Sequence, residues 1–200
     1  MPGLAFSIGM QGVRARLPSG LAERVEGKGW VVGRGAGPAR LVDRYSVEGP
    51  DGLRLLEMGK LPERLEPSVT VSFRYVMERF RRPGWDLVAD LAAGTRQAMF
   101  GWSRFAGVVL VVAEPSVKSL ISARRLVKVG THLVANRVHD ASDIQRIQAS
   151  VGLPLLGAIP YDEGLVEADR RGLAPLDFVP HSPGVRAIRE LTERLIREQG

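Results

Sequence analysis

A chain of 200 residues, 44% hydrophobic and 25% charged, is long enough to bury one substantial core and has the composition of an ordinary globular protein. The absence of cysteine excludes disulfides, thiolate catalysis and Cys-based metal sites, and no apolar run approaches the roughly 18 residues that a membrane span needs. The net charge of +6 rests mostly on Arg scattered along the chain, the pattern of a solvated basic surface, which argues against nucleic acid as a partner.

The first residues, MPGLAFSIGM, lack the basic start and long apolar stretch of a secretory signal, so a cytoplasmic protein is expected. Residues 1–50 read as an irregular start, with short apolar pieces at 4–10 and 30–32 and a Gly-rich loop at 33–38. From residue 53 the pattern becomes regular. Apolar runs at 53–58, 86–91, 108–113, 132–136 and 155–159 read as strands covered on both faces. Between them lie helix candidates at 73–81, 95–105, 117–127 and 141–151. Asp140 is placed to cap the helix beginning at Ala141, with Ile144, Ile147 and Val151 on its buried face. Ser182 and Pro183 open the last helix, where Val185, Ile188, Leu191 and Leu195 make the apolar stripe. Strand and helix alternating in this way predict one α/β domain over residues 1–200, a mainly parallel sheet flanked by helices on both faces.

Ligands in such sheets sit beyond the carboxyl ends of the strands, so the residues there are the candidates. Asp90 ends the run at 86–91 and is followed by Ala92, Ala93 and Gly94. An acid before a small-residue turn suits a metal-bound water near phosphate, and equally suits a cap for the next helix. Asn136, followed by Arg137, ends the next-to-last strand. A carboxamide offers both donor and acceptor to a base edge, although Asn at a strand end also serves turns. The last strand ends in Pro160, Tyr161 and Asp162, where Asp162 either caps a helix or approaches a ligand. His132, His139 and His181 share no metal-ligand spacing, Gly33-Arg34-Gly35 lacks the Gly-Lys-Ser/Thr ending of a phosphate loop, and no serine sits in a nucleophile elbow.

The order of these pieces resembles the MinD/ParA group of deviant P-loop ATPases. Asp86-Leu87-Val88-Ala89-Asp90-Leu91-Ala92-Ala93-Gly94 is similar to its switch II segment, and Val108-Val109-Leu110-Val111-Val112-Ala113-Glu114-Pro115-Ser116 to the strand that follows. Leu133-Val134-Ala135-Asn136-Arg137 resembles the strand that carries the adenine-side Asn, and Ile159-Pro160-Tyr161-Asp162-Glu163 the base-enclosing loop. Within the group, Glu114-Pro115-Ser116, Arg54-Leu55-Leu56-Glu57-Met58-Gly59-Lys60 and Asp177-Phe178-Val179-Pro180-His181-Ser182-Pro183 resemble the nickel-insertion ATPases that mature carbon monoxide dehydrogenase.

That resemblance implies a nucleotide switch in which ATP and Mg²⁺ lie between the subunits of a homodimer and a client metalloenzyme is served. Asp90 would be the Mg²⁺- or water-side acid and Gly94 the moving turn of the switch. Asn136 would read adenine with Arg137 beside it, and the loop of Pro160 and Asp162 would cover the base. Two departures matter. The family's Gly-rich loop with two lysines is not found, and residues 1–10 resemble the segment after the family's second strand. The expectation is therefore an N-terminally incomplete domain with little or no ATPase activity and weak nucleotide binding. Its central gap would either stay open or be filled by residues 4–10 or 30–32. Where the nickel-insertion ATPases carry Cys-x-Cys ahead of a helix, this chain reads Ser68-Val69-Thr70-Val71-Ser72. A non-catalytic interaction module and a DNA-associated partition protein are the alternatives.

Overall fold

The computed structural model describes residues 3–10, 12–33, 35, 37–58, 67–91, 101 and 103–199. The chain forms two compact units, Met1–Asp90 and Leu91–Gly200.

In the first unit the short helix α1 (Gly3–Ser7) precedes a hairpin of β1 (Ala22–Val25) and β2 (Gly29–Val32), paired antiparallel from Ala22↔Val32 to Val25↔Gly29. Pro38 opens α2 (Pro38–Tyr45), a position where its fixed φ and missing N–H are harmless. A second antiparallel hairpin joins β3 (Val47–Glu48) to β4 (Arg54–Leu55), and α3 spans Pro67–Arg79. Leu17, Leu41, Val42, Val76 and Phe80 form the core between these pieces. The Ser68 hydroxyl in the first turn of α3 accepts the N–H groups of Gly20 and Ala22 at 3.0 and 3.3 Å, tying that helix to the hairpin. Arg82 donates to both carboxylate oxygens of Asp43 at 2.9 and 2.7 Å and lies over the Trp85 ring.

Several expectations for this half are corrected. Residues 4–10 hold a helix and its turn, and 30–32 belong to the β1–β2 hairpin, so neither joins the parallel sheet. The run 53–58 contributes the two-residue β4, which is antiparallel, and an isolated parallel bridge from Glu57 to Arg16. Residues 86–91 form no strand; Leu87 is 45% exposed and Val88 91%. The reason is physical: an extended apolar run becomes a strand only where a neighbour supplies the other half of the ladder. The helix expected at 95–105 falls largely outside the described residues.

The second unit is the regular one. Strands β5 (Leu110–Ala113), β6 (His132–Val138) and β7 (Leu155–Pro160) make a parallel sheet in the order β5-β6-β7. Helix α4 (Val117–Leu126) connects the first pair and α5 (Ala141–Val151) the second. Beyond β7 come α6 (Glu163–Arg171), α7 (Pro175–Phe178) and α8 (Pro183–Gln199). Helices flank both faces of this α/β sheet. On one face Val111, Ala113, Leu133 and Ala135 pack with Leu120 and Ala123 of α4 and Ile147 and Val151 of α5. On the other, α8 lies so close that a Cβ on Gly157 would collide with Leu191. Asp140 caps α5 as its position predicts, accepting the N–H groups of Ser142 and Asp143 at 2.8 and 3.1 Å, and Gly152 ends that helix at φ 76°. Among the described residues β5 is paired on one side only, and its Leu110 and Val112 are 40% and 55% exposed. No helix of the described residues is long and apolar enough to cross a membrane.

Candidate functional site

The carboxyl ends of β5, β6 and β7 lie side by side because the three strands are parallel and nearly in register. Asn136 pairs with Ile159 and Val138 with Pro160. Asn136, half-buried, ends the regular part of β6. Arg137, next to it, takes a left-handed backbone at φ 54°, and its guanidinium reaches Glu114 at the end of β5 at 3.5 Å. Glu114 is itself held, its N–H donating to the Ser119 hydroxyl at 2.9 Å.

The turn after β7 is fixed from several directions. The Tyr161 N–H donates to the Val138 carbonyl at 2.9 Å, and the Tyr161 ring stacks on His139 with centroids 5.0 Å apart. His139 is anchored in turn, its N–H donating to the Asp143 carboxylate at 2.9 Å. Both oxygens of Asp162 are engaged: one accepts the Gly164 N–H at 2.8 Å, capping α6, and the other the Gly184 N–H at 2.7 Å at the start of α8. Burial pushes the Asp162 carboxyl up, but the Ser182 hydroxyl and the backbone N–H groups of Gly184, Gly164 and Leu165 outweigh it. The carboxyl ends below its ordinary value. Of the two roles open to Asp162, capping is the one its hydrogen bonds perform. An open hollow of about 410 Å³ lies beside this turn, lined by Tyr161, Glu163, Val166, Glu167 and Arg170.

The structure therefore brings together Asn136, Arg137, Pro160 and Asp162 at one end of one sheet. Asp90 lies at the end of the first unit, exposed and outside any strand, and Gly94 is outside the described residues. Among the described residues no group of three or more His, Asp or Glu is placed to hold a metal ion. The stretch Ser68 to Ser72, expected ahead of a helix, lies within the first two turns of α3, and Ser72 is fully buried. Sequence reasoning missed the Glu114–Arg137 pair and the His139–Tyr161 stack. Both join residues from different strand ends, and no local spacing signals such a contact.

This strand order and helix arrangement has solved counterparts. A ParA-family ATPase from Chlorobium tepidum superposes with a TM-score of 0.60 at 19% identity, covering 78% of this chain and 68% of its own. A chain of the MinC:MinD cell division protein complex of Aquifex aeolicus gives 0.61 at 16% identity, covering 97% of this chain and 78% of its own. The chain has the fold of the MinD and ParA ATPases.

Sequence comparison points the same way. Three ATP-binding proteins of Methanocaldococcus jannaschii are similar to it, 25% identical over 172 residues, 25% over 144 and 29% over 138. These alignments cover 80%, 66% and 60% of this chain. The chain spans 64%, 56% and 52% of those relatives' own lengths. No protein-family model matches the sequence.

Proposed function

We propose that the chain is an ATP-binding switch protein of the MinD/ParA type, acting in the cytoplasm as a homodimer in the maturation of a client metalloenzyme. The observation that carries the nucleotide reading is Asn136, a half-buried carboxamide at the carboxyl end of the middle strand of a MinD/ParA sheet, beside a turn braced by three separate contacts. A carboxamide is both donor and acceptor, which suits the amino group and ring nitrogen on the edge of adenine. Pro160 and the turn to Asp162 would enclose the base, and Arg137 lies on the same rim. The similarity to ATP-binding proteins supports this choice of base. The metalloenzyme part rests on the motifs at residues 54–60, 114–116 and 177–183, which resemble nickel-insertion ATPases.

The residues present fit the base better than the phosphates. The 200 residues contain no Gly-Lys-Ser/Thr sequence, so the backbone cradle and lysine that neutralise β- and γ-phosphates have no counterpart in them. In this reading Asp90 is the Mg²⁺-side acid and Gly94 the turn of the switch. Among the described residues Asp90 belongs to no group of three or more acids or histidines placed to hold a metal ion. When bound, Mg²⁺ and ATP would supply a cleavable γ-phosphoryl group. The chain by itself supplies recognition of the base, with hydrolysis impaired.

Calorimetric titration with ADP, ATP and the guanine nucleotides tests the proposal. Adenine nucleotides should bind no tighter than roughly 100 µM, since most phosphate contacts are missing. Asn136→Ala should remove the preference for adenine over guanine. Equal binding of adenine and guanine nucleotides by the unaltered chain would overturn the reading, and nanomolar affinity would overturn the impairment.

A further inference from the structure

Strand β6 breaks its own alternation at one residue. Leu133 and Ala135 face the core shared with α4 and α5, and Val134 faces the other side. Strict alternation would send Arg137 into that core and Val138 away from it. Instead Val138 is buried in the same core as Leu133 and Ala135, and Arg137 is exposed. The pairing with β7 shows the cause: the register steps from Asn136↔Ile159 to Val138↔Pro160, so two residues of β6 advance against one of β7. Arg137 is the extra residue of a bulge, at φ 54°. A left-handed backbone is costly for any residue with a Cβ, and Gly and Asn are the usual occupants. Here the bulge keeps a guanidinium out of an apolar core and lets it meet Glu114 at 3.5 Å across the ends of β5 and β6. Bulges re-aim side chains at the ends of strands, and backbone held in a sparsely populated region gathers at binding sites.

We infer that Arg137 is a positioning residue for Asn136: the left-handed bulge, tied to β5 through Glu114, sets the direction of the Asn136 carboxamide at the strand end. This rests on the reading of Asn136 as the base-recognising group. Asn136 is the last residue of β6 paired before the bulge. The bulge skips Arg137 immediately after it, and the pairing resumes in the core at Val138. A regular strand would carry an arginine inward at the next step and would have to move Asn136 to relieve it.

The test separates backbone conformation from charge. The measured quantity is the ratio of GDP to ADP dissociation constants, from ligand-observed NMR competition on the full 200-residue chain. Arg137→Asn tolerates the left-handed conformation without the positive charge, and Arg137→Val resists it because a β-branched residue there is a steric outlier. The unaltered chain should prefer ADP by roughly tenfold, the scale of a two-point base contact. Arg137→Asn should keep at least half of that ratio, whereas Arg137→Val should fall to the value of Asn136→Ala. Should Arg137→Val not fold, as judged by its melting curve, Arg137→Ala against Arg137→Asn gives the same contrast. An Arg137→Val or Arg137→Ala variant that folds and keeps the full ratio overturns the inference. So does an Arg137→Asn variant that loses as much as Arg137→Val, which would make the charge itself the recognising group. Failure of the underlying reading looks different: the unaltered chain shows no preference, or Asn136→Ala leaves the preference intact.

Discussion

Residues 132–138 and residues 86–91 are both apolar runs with a polar side chain near the carboxyl end, Asn136 in one and Asp90 in the other, and the molecule treats them differently. The first lies between β5 and β7, with Leu133 and Ala135 wholly buried. Its end is pinned by a bulge, by Glu114 and by the Tyr161 N–H. The second has no ladder partner among the described residues, and Val88 is 91% exposed. Backbone N–H and C=O groups need partners, so extended apolar chain without a neighbour gains little from being extended. A polar group at the end of a strand can recognise a ligand only when the strand itself is held. Asn136 meets that condition and Asp90 does not.

The comparison is broken most directly by giving residues 86–91 a neighbour. A βαβ unit fused ahead of residue 1 should turn 86–91 into a strand and cover the open edge of β5. The melting temperature should then rise by roughly 10 °C or more, the scale of several kcal/mol returned to a domain of this size. Scanning calorimetry of the fused and unfused chains decides it; equal midpoints would mean that 86–91 lacks a strand for some other reason.

Truncation sharpens the same contrast. Leu133→Ala empties a fully buried site and should cost about 2–5 kcal/mol, whereas Val88→Ser should stay within about 0.5 kcal/mol. Urea unfolding of the two variants measures both, and a large loss from Val88→Ser would show that residues 86–91 pack against something.

A smaller effect than that of Leu133→Ala lies at the end of β7. Asp162→Ala removes the cap of α6 and the tether to Gly184, and should cost about 1–2 kcal/mol. Because the folded-state carboxyl lies below its ordinary value, its contribution is complete above the unfolded pKa of about 3.9 and is lost as pH falls through the folded value. Melting curves from pH 6 down to pH 2.5 should therefore show a shallower acid-side decline for Asp162→Asn than for the unaltered chain. Parallel declines would mean that the carboxylate gains nothing from these partners.

Where a feature depends on residues close in sequence, spacing was sufficient to read it. The helices at Val117–Leu126 and Ala141–Val151, the Asp140 cap and the strands around Val111, Leu133 and Leu156 follow from apolar runs and capping residues a few positions apart. So does the placing of Asn136 and Pro160 at strand ends. The first unit was much less legible. Its two-residue β4, its hairpins and its core of Leu17, Leu41, Val76 and Phe80 depend on partners dozens of residues away, and short antiparallel pieces carry little periodicity of their own. Residues 86–91 carry a strand-like pattern and are not a strand, because a ladder is a property of two chains and only packing supplies the second. Packing likewise decided the site's finer geometry. Nothing local distinguishes Arg137 from an ordinary strand residue until the core accepts Val138 and rejects a guanidinium, which forces the backbone to turn left-handed between them.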